Sequence, residues 1–369
     1  MRKTLAGFVL SCLSSVTLAQ SEFVEIAPIT RELAKDIALQ SEVIDNQLRQ
    51  NIHRYQQSLS LQQLTSSTNN QSLSKKVSAA NLSLSERKGI ATYEDNLLQI
   101  RLADKSMLAD WEAGDDWLVA YVPDGNEQNW STIEAFDKDG NVHYLDPNEM
   151  PNMPVFVIDI NSKKDLQAGL KVLNQEIAKA GLKFNKKDLP QYSSAANNQR
   201  MRETAKLTEI RLNNDHEPWV LGSSEIYAIV SGINPSKKEA VLNVVDMPYL
   251  DEDKKTYYPN QIMLMWGQYR FGAANIMLYE HDDNYNYKEL SKQLIGAVSK
   301  IVSAAGQPEI GLLIGIGQAI VEAMPDRWFS NEDDYVDSFY TLERARSYSG
   351  YYGASGNAQI TLVPYTLPK

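Results

Sequence analysis

The chain has 369 residues, 47 acidic against 36 basic ones for a formal net charge of −11, and 43% hydrophobic residues. That apolar share supports packed cores, and the length exceeds what one core usually fills. The acidic balance argues against a nucleic-acid partner, whose phosphates would repel it.

Residues 1–19 open with Arg2 and Lys3, continue through an apolar stretch, and end in small residues before a plausible cut after Ala19. This pattern predicts a signal peptide and export to the periplasm or beyond, with a mature chain starting near Gln20. A membrane anchor is the alternative, but the stretch is interrupted by Ser11, Ser14, Ser15 and Thr17 and falls short of the ~20 residues a span needs. Cys12 would allow a lipoprotein, yet with an apolar core too short before it. Because Cys12 is the single cysteine, the mature chain has no disulfide to protect it outside the cell. Cleavage leaves 34 basic against 47 acidic residues, net −13.

Within residues 23–64 the apolar positions recur at three- and four-residue steps, which predicts one or two long amphipathic helices. The polar run 65–76 reads as a loop or spacer, and 97–111 as a short helix. Buried strands are expected over 117–122 and 154–160, and a hairpin over 132–145 around Gly140. Residues 164–180 form a helix ended by Gly181. These elements make residues 20–182 an α+β unit with long N-terminal helices. A polar linker comes next over 183–206, rich in Lys, Asn, Ser and Gln.

Beyond it, strands are expected at 207–212, 225–231, 239–245, 261–265, 274–279, 340–345 and 358–363, which suggests an antiparallel β-sandwich over 207–369. One helical-hairpin insertion interrupts it at 288–324, split near Pro308. Its two apolar pieces are glycine-spaced, with Gly311 and Gly315 permitting close helix contact. At about a dozen apolar residues each they fit a buried hairpin better than a membrane-inserting one.

Four acidic clusters fall in the loops of this sandwich: Asp215 with Glu217, Asp246 with residues 251–253, Glu280 with Asp282 and Asp283, and Asp333 with Asp334 and Asp337. If the loops share one end, their carboxylates converge and suit the 6 to 8 oxygen ligands of calcium; without a cation they repel one another, and scattered they are solvated surface. His216 and His281 lie beside these loops and could join a mixed nitrogen and oxygen site for zinc, though carboxylate-rich clusters favour harder cations. No His-Glu-x-x-His, Gly-x-Ser-x-Gly or glycine-rich phosphate loop is present. Paired carboxylates for glycoside cleavage stay open, since their spacing in space is invisible in sequence. Aromatic residues from Tyr249 to Phe329 crowd this half, as binding surfaces do and as sandwich cores also do.

The runs 209–232, 279–283 and 331–337 resemble calcium-binding sandwiches of secreted bacterial proteins, with loops similar to the synaptotagmin type. In that pattern an acidic residue opens a strand with a tyrosine two positions on, as Glu225 and Tyr227 do; Ser224 stands where the pattern more often has aspartate. The runs 117–125, 135–140 and 154–159 resemble an uncharacterised exported family of gammaproteobacteria, domain of unknown function family 3103. The acidic clusters and the calcium-sandwich resemblance together give an expected calcium set of Asp215, Glu217, Glu225, Asp246, Glu280, Asp282, Asp283, Asp333, Asp334 and Asp337, while the family resemblance brings no known activity.

The sequence thus predicts a secreted, non-catalytic binding protein for an unknown extracellular ligand, with calcium doing the rigidifying that disulfides do elsewhere. The alternatives are a secreted hydrolase with a carboxylate-based site and a lipid-surface binder reached through calcium.

Overall fold

The computed structural model describes residues 24–68, 70–114, 116–125, 127–188, 201–213, 218–222, 225–237, 239–252, 254–281, 284–303, 309–323 and 335–368. The expected signal peptide lies outside the described residues. The amphipathic N-terminal stretch resolves into two helices, α1 (Ala27–Ala38), with a proline in its first turn, and α2 (Ser41–Asn51). A short strand β1 (Ser58–Ser60) and helix α3 (Leu61–Ser66) come next.

Two expectations for this half are overturned. The supposed spacer contains the start of helix α4 (Gln71–Arg87), capped by the Asn70 side chain, which accepts from the Leu73 amide at 3.0 Å. Its buried positions Leu73, Val77, Asn81 and Leu84 fall on one face, so packing sustains a helix whose other faces are polar. The supposed helix after residue 97 is instead strand β2 (Leu98–Leu102), flanked by neighbours on both sides, and only then a short helix α5 (Leu108–Ala113). Leu98, Leu102 and Leu108 fit helical spacing, but burial of Leu98, Gln99 and Ile100 in succession requires a strand covered on both faces.

Strands β3 (Leu118–Tyr121), β4 (Ile133–Phe136), β5 (Val142–Leu145) and β6 (Val155–Ile160) and helix α6 (Ser162–Lys179) stand where expected. The sheet order is β1-β2-β6-β3-β4-β5, with β3 and β6 parallel and the other neighbours antiparallel. Every residue of β6 is buried. Helix α6 opens on Asn161, whose side chain accepts from the Lys164 amide at 2.9 Å, and closes before Gly181 in the left-handed region.

The second half holds β7 (Glu203–Leu212), β8 (Ile226–Ile233), β9 (Ala240–Asp246), β10 (Thr256–Tyr257), β11 (Gln261–Met265), β12 (Ala273–Glu280), β13 (Tyr335–Glu343), β14 (Tyr348–Tyr352) and β15 (Ala358–Thr366). β7 begins inside the expected linker, of which residues 189–200 lie outside the described set. One antiparallel sheet runs β13-β12-β8-β9; the other runs β10-β7-β15-β14, with β11 also on β7. Between β12 and β13 lie helices α7 (Tyr287–Ser303) and α8 (Glu309–Ala323). They pack on each other, α7 also on α6, and α8 on β12 and β8. Among the described residues no helix is long and apolar enough to cross a membrane.

Strand alternation divides the interior in two. Ile226, Ala228 and Val230 of β8 and Ala274, Ile276 and Leu278 of β12 face a core shared with the other sheet. Tyr227, Ile229, Met277 and Tyr279 face the helices and join the core of residues 24–182, so the two expected units share buried surface. Two close approaches fix that helical layer. Asn275, fully buried, donates to the Leu313 carbonyl of α8 at 2.9 Å and accepts from the Thr341 amide at 2.9 Å, and at Gly317 of α8 an added Cβ would come within 2.9 Å of its amide nitrogen. At Gly169 of α6 an added Cβ would lie 1.9 Å from the Tyr287 ring.

Gly169→Ala therefore forces α6 and α7 apart, and urea denaturation should show a loss of about 3 kcal/mol. An unchanged midpoint would mean the seam between these helices is loosely packed.

Candidate functional site

The register of the four-stranded sheet decides where the acidic loops begin. Ile226 pairs with Glu280, Tyr227 with Asp246, and Tyr279 with both Tyr227 and Tyr335. The start of β8, the ends of β9 and β12, and the start of β13 thus lie at one end of the sheet, and the described acids Glu225, Asp246, Glu280 and Asp337 lie toward it. The His281 amide donating to the Glu225 carbonyl at 2.9 Å, and that of Met247 to Ile226 at 3.1 Å, tie these stems together.

Of the ten predicted ligands, Asp215, Glu217, Asp282, Asp283, Asp333 and Asp334 lie outside the described residues, as does His216. The other four divide between the two faces of the sheet, with Asp337, opposite Leu278, on the side of Glu280. Asp246 shares the helix-side face with Tyr227, whereas Glu280, opposite Ile226, shares the face toward the second sheet. Burial pushes the Asp246 carboxyl up, opposed by the positive charge of Lys163. Asp337 is fully buried and accepts from the backbone amides of Ser338, Ser355 and Ala358 at 2.8, 2.8 and 2.7 Å. Gly353 packs directly on its carboxylate, where a Cβ would sit 2.2 Å away, so this side chain clamps the β14–β15 turn to β13. Glu225 stands in a cleft wall. Among the described residues no group of three or more His, Asp or Glu is placed to hold a metal.

That cleft, of about 640 Å³, lies where the loop end of the four-stranded sheet meets β2 and the start of α6. From β2 it receives Gln99 and Arg101, two residues apart and so on one face. Arg101 pins the two walls together: its Nε donates to Asp159 at 2.6 Å, one terminal nitrogen donates to the Ala103 carbonyl, and the other to the Val220 carbonyl of the opposite loop. Gly222, in the left-handed region, lets that loop lie on the guanidinium, 3.1 Å from where a Cβ would be. Trp219 also faces the cleft, with its indole N–H fixed on the Asp146 carbonyl at 2.9 Å.

The acids of the cleft carry visible duties. Asp104 accepts from the Ser106 amide, Asp251 from the Tyr257 hydroxyl at 2.6 Å, and Glu252 pairs with Lys255 at 3.1 Å. Lys105 and Lys163 are exposed, and among the described residues neither makes an ion pair. None of Gln99, Arg101, Lys105 and Lys163 stood out in the sequence; the available signal was a polar pair two residues apart inside an otherwise apolar strand.

A second polar group lies sealed beneath. Lys88, at the end of α4, reaches Asp165, in the first turn of α6, at 2.7 Å, and both side chains are 0% exposed. His281, just after β12, places Nε2 2.8 Å from the same Asp165 oxygen, Oδ2. Tyr287 stacks on the imidazole with its hydroxyl 3.2 Å from Nδ1 and holds its ring 5.7 Å from the Lys88 ammonium. Burial drives the Asp165 carboxyl up, but Lys88 and His281 together outweigh it and hold it below the usual range. Among the described residues Asp165 Oδ1 has no hydrogen-bond partner. His281, expected beside a metal, thus spends Nε2 on an internal carboxylate. An Asp-His pair is catalytic only where a substrate reaches it, and this one is closed to solvent.

A protein family described as of unknown function, DUF3103, matches residues 30–369. No curated protein and no solved structure matches the chain.

Removing one partner of a buried charge group strands the other. Asp165→Ala should lower unfolding stability at pH 7 by about 3–5 kcal/mol in urea titration, while Lys88→Met with Asp165→Leu should recover much of it. Because the folded Asp165 lies below its ordinary value of 3.8, its contribution is complete above that pH. It fades as pH falls through the depressed folded value, and Asp165→Ala should lose this acid dependence.

Proposed function

We propose that this chain, which belongs to the DUF3103 family of proteins of unknown function, is an exported, non-catalytic binding protein. Its ligand site is the cleft between the first sheet and the loop end of a β-sandwich, and calcium in the acidic loops stiffens the sandwich wall. The observation carrying this reading is that Glu225, Asp246, Glu280 and Asp337 lie toward one end of the four-stranded sheet, and that two of the loops leaving that end, through Trp219, Gly222, Glu225, Asp251 and Glu252, line the cleft.

The cleft supports binding in two ways. Its volume falls in the range of small-ligand sites. Its polar groups are held by backbone and ion-pair contacts, so a ligand meets a wall already ordered. Calcium would give a chain with a single cysteine a staple other than a disulfide, since a cation bound only to the folded state adds stability in proportion to the logarithm of its excess over Kd.

The hydrolase alternative draws on Glu225, Asp251 and Glu252 on one wall of the same cleft. Of these, Asp251 and Glu252 are engaged by Tyr257 and Lys255, which weakens them as a free acid and base pair. The binding reading expects ligand capture with no product release over hours.

Calorimetric melting in millimolar calcium and in chelator separates the calcium part. The melt should rise by about 5 °C with calcium, the size that saturation near a hundredfold over Kd implies for a chain of this length. Coincident curves would remove calcium from the account.

A further inference from the structure

We infer that the cleft takes an acidic sugar, a hydroxyl-rich ring bearing a carboxylate; this rests on the reading of the cleft as the ligand site. Three independent features converge on an anion. The first is the start of α6, an 18-residue helix whose opening residues Asn161, Ser162 and Lys163 line the cleft. The Asn161 side chain satisfies the Lys164 amide, and the Asp165 amide bonds the Asn161 carbonyl at 3.0 Å. Among the described residues the amides of Ser162 and Lys163 have no acceptor. First-turn amides of this kind carry the positive end of the helix dipole.

The second feature is Gln99. It is 9% exposed and lines the cleft, and its Oε1 accepts from the Asn161 side-chain Nδ2 at 2.8 Å. Its Nε2 has no acceptor among the described residues. An amide donor at a cavity wall with no protein acceptor is open to a bound group that accepts from it in place of water. Its carbonyl is committed, so the group that completes it must be an acceptor.

The third is charge. In a protein of formal net charge −11, Lys105 and Lys163 stand in the same cleft without a direct ion pair among the described residues, although Asp246 lies near enough to Lys163 to feel its charge. The nearby acids Asp251 and Glu252 are turned to Tyr257 and Lys255 instead. A carboxylate at the start of α6 meets amide donors, Gln99 and both ammonium groups at once.

The remaining lining selects what bears that carboxylate. Trp219, its indole fixed by Asp146, lines the cleft together with Gln57, Ser58 and Glu225, which bring hydrogen-bonding groups. Aromatic and polar groups mixed in this way suit the alternating apolar and hydroxyl faces of a sugar ring. A cleft of about 640 Å³ holds one or two such rings.

Isothermal titration of the full chain in calcium buffer with digalacturonate, maltose and inorganic phosphate tests the assignment. Digalacturonate should bind while maltose and phosphate bind at least tenfold more weakly. Lys105→Gln and Lys163→Gln, both at exposed positions and checked by unchanged melting, should each weaken digalacturonate on the order of tenfold. Maltose binding as tightly as digalacturonate, or digalacturonate binding indifferent to both substitutions, overturns the anionic assignment and leaves the cleft a binding site. Phosphate binding as tightly as digalacturonate overturns the sugar and keeps the anion. Silence from all three overturns this inference and removes its support from the binding reading as well.

Discussion

Three titratable side chains, Lys88, Asp165 and His281, meet in the interior where each is almost fully withdrawn from water. Withdrawing charges at this depth costs several kcal/mol per group, and only mutual pairing offsets it. The group therefore matters less as a source of stability than as a constraint on arrangement. Lys88 comes from the end of α4, Asp165 from the start of α6, and His281 from the exit of β12; a shift of any one element by a residue leaves a charge buried alone. Tyr287 closes the group from α7, and it fits because α6 presents Gly169 beneath its ring. The residue that could have been any small side chain has to be glycine.

The same constraint sets the position of the cleft. Asp165 lies in the first turn of α6, so anchoring it also fixes Asn161, Ser162 and Lys163 at the seam between the halves. Arg101 pins the same seam from the other side by reaching across to Val220. The wall opposite consists of loops that leave the four-stranded sheet at its acidic end. The cleft of about 640 Å³ thus lies between parts held by two charged anchors.

The acidic loops illustrate how one residue type serves different ends. Asp337 belongs to an acidic run of the sequence, and it is buried and occupied by three backbone amides. Glu280 and Asp246 sit one residue apart in register and so face opposite sides of their sheet. Counting carboxylates along the chain treats these residues as equivalent; the pleat and the neighbouring turn make them different.

Much of the secondary structure was legible because its signals are local. The alternating β8 and β12, the buried β6 and the Gly181 stop of α6 need only a few neighbouring residues to be recognised. The membership of DUF3103 likewise rests on motifs along the chain. Where the reading failed, the deciding partners were distant. β2 is a strand because β1 and β6 flank it and both its faces are covered, although its leucines also satisfy helical spacing. α4 is a helix because Leu73, Val77 and Leu84 find a core, although its composition is that of a spacer. The sequence by itself thus determined the α+β composition, the strand periodicity and the acidic character of the loops, since these depend on residue type and short-range spacing. Only the tertiary structure decided which loops share an end, that Lys88, Asp165 and His281 form one buried group, and that Gln99, Lys105 and Lys163 face one cleft. Those relations join residues up to nearly two hundred positions apart, and no local propensity encodes them.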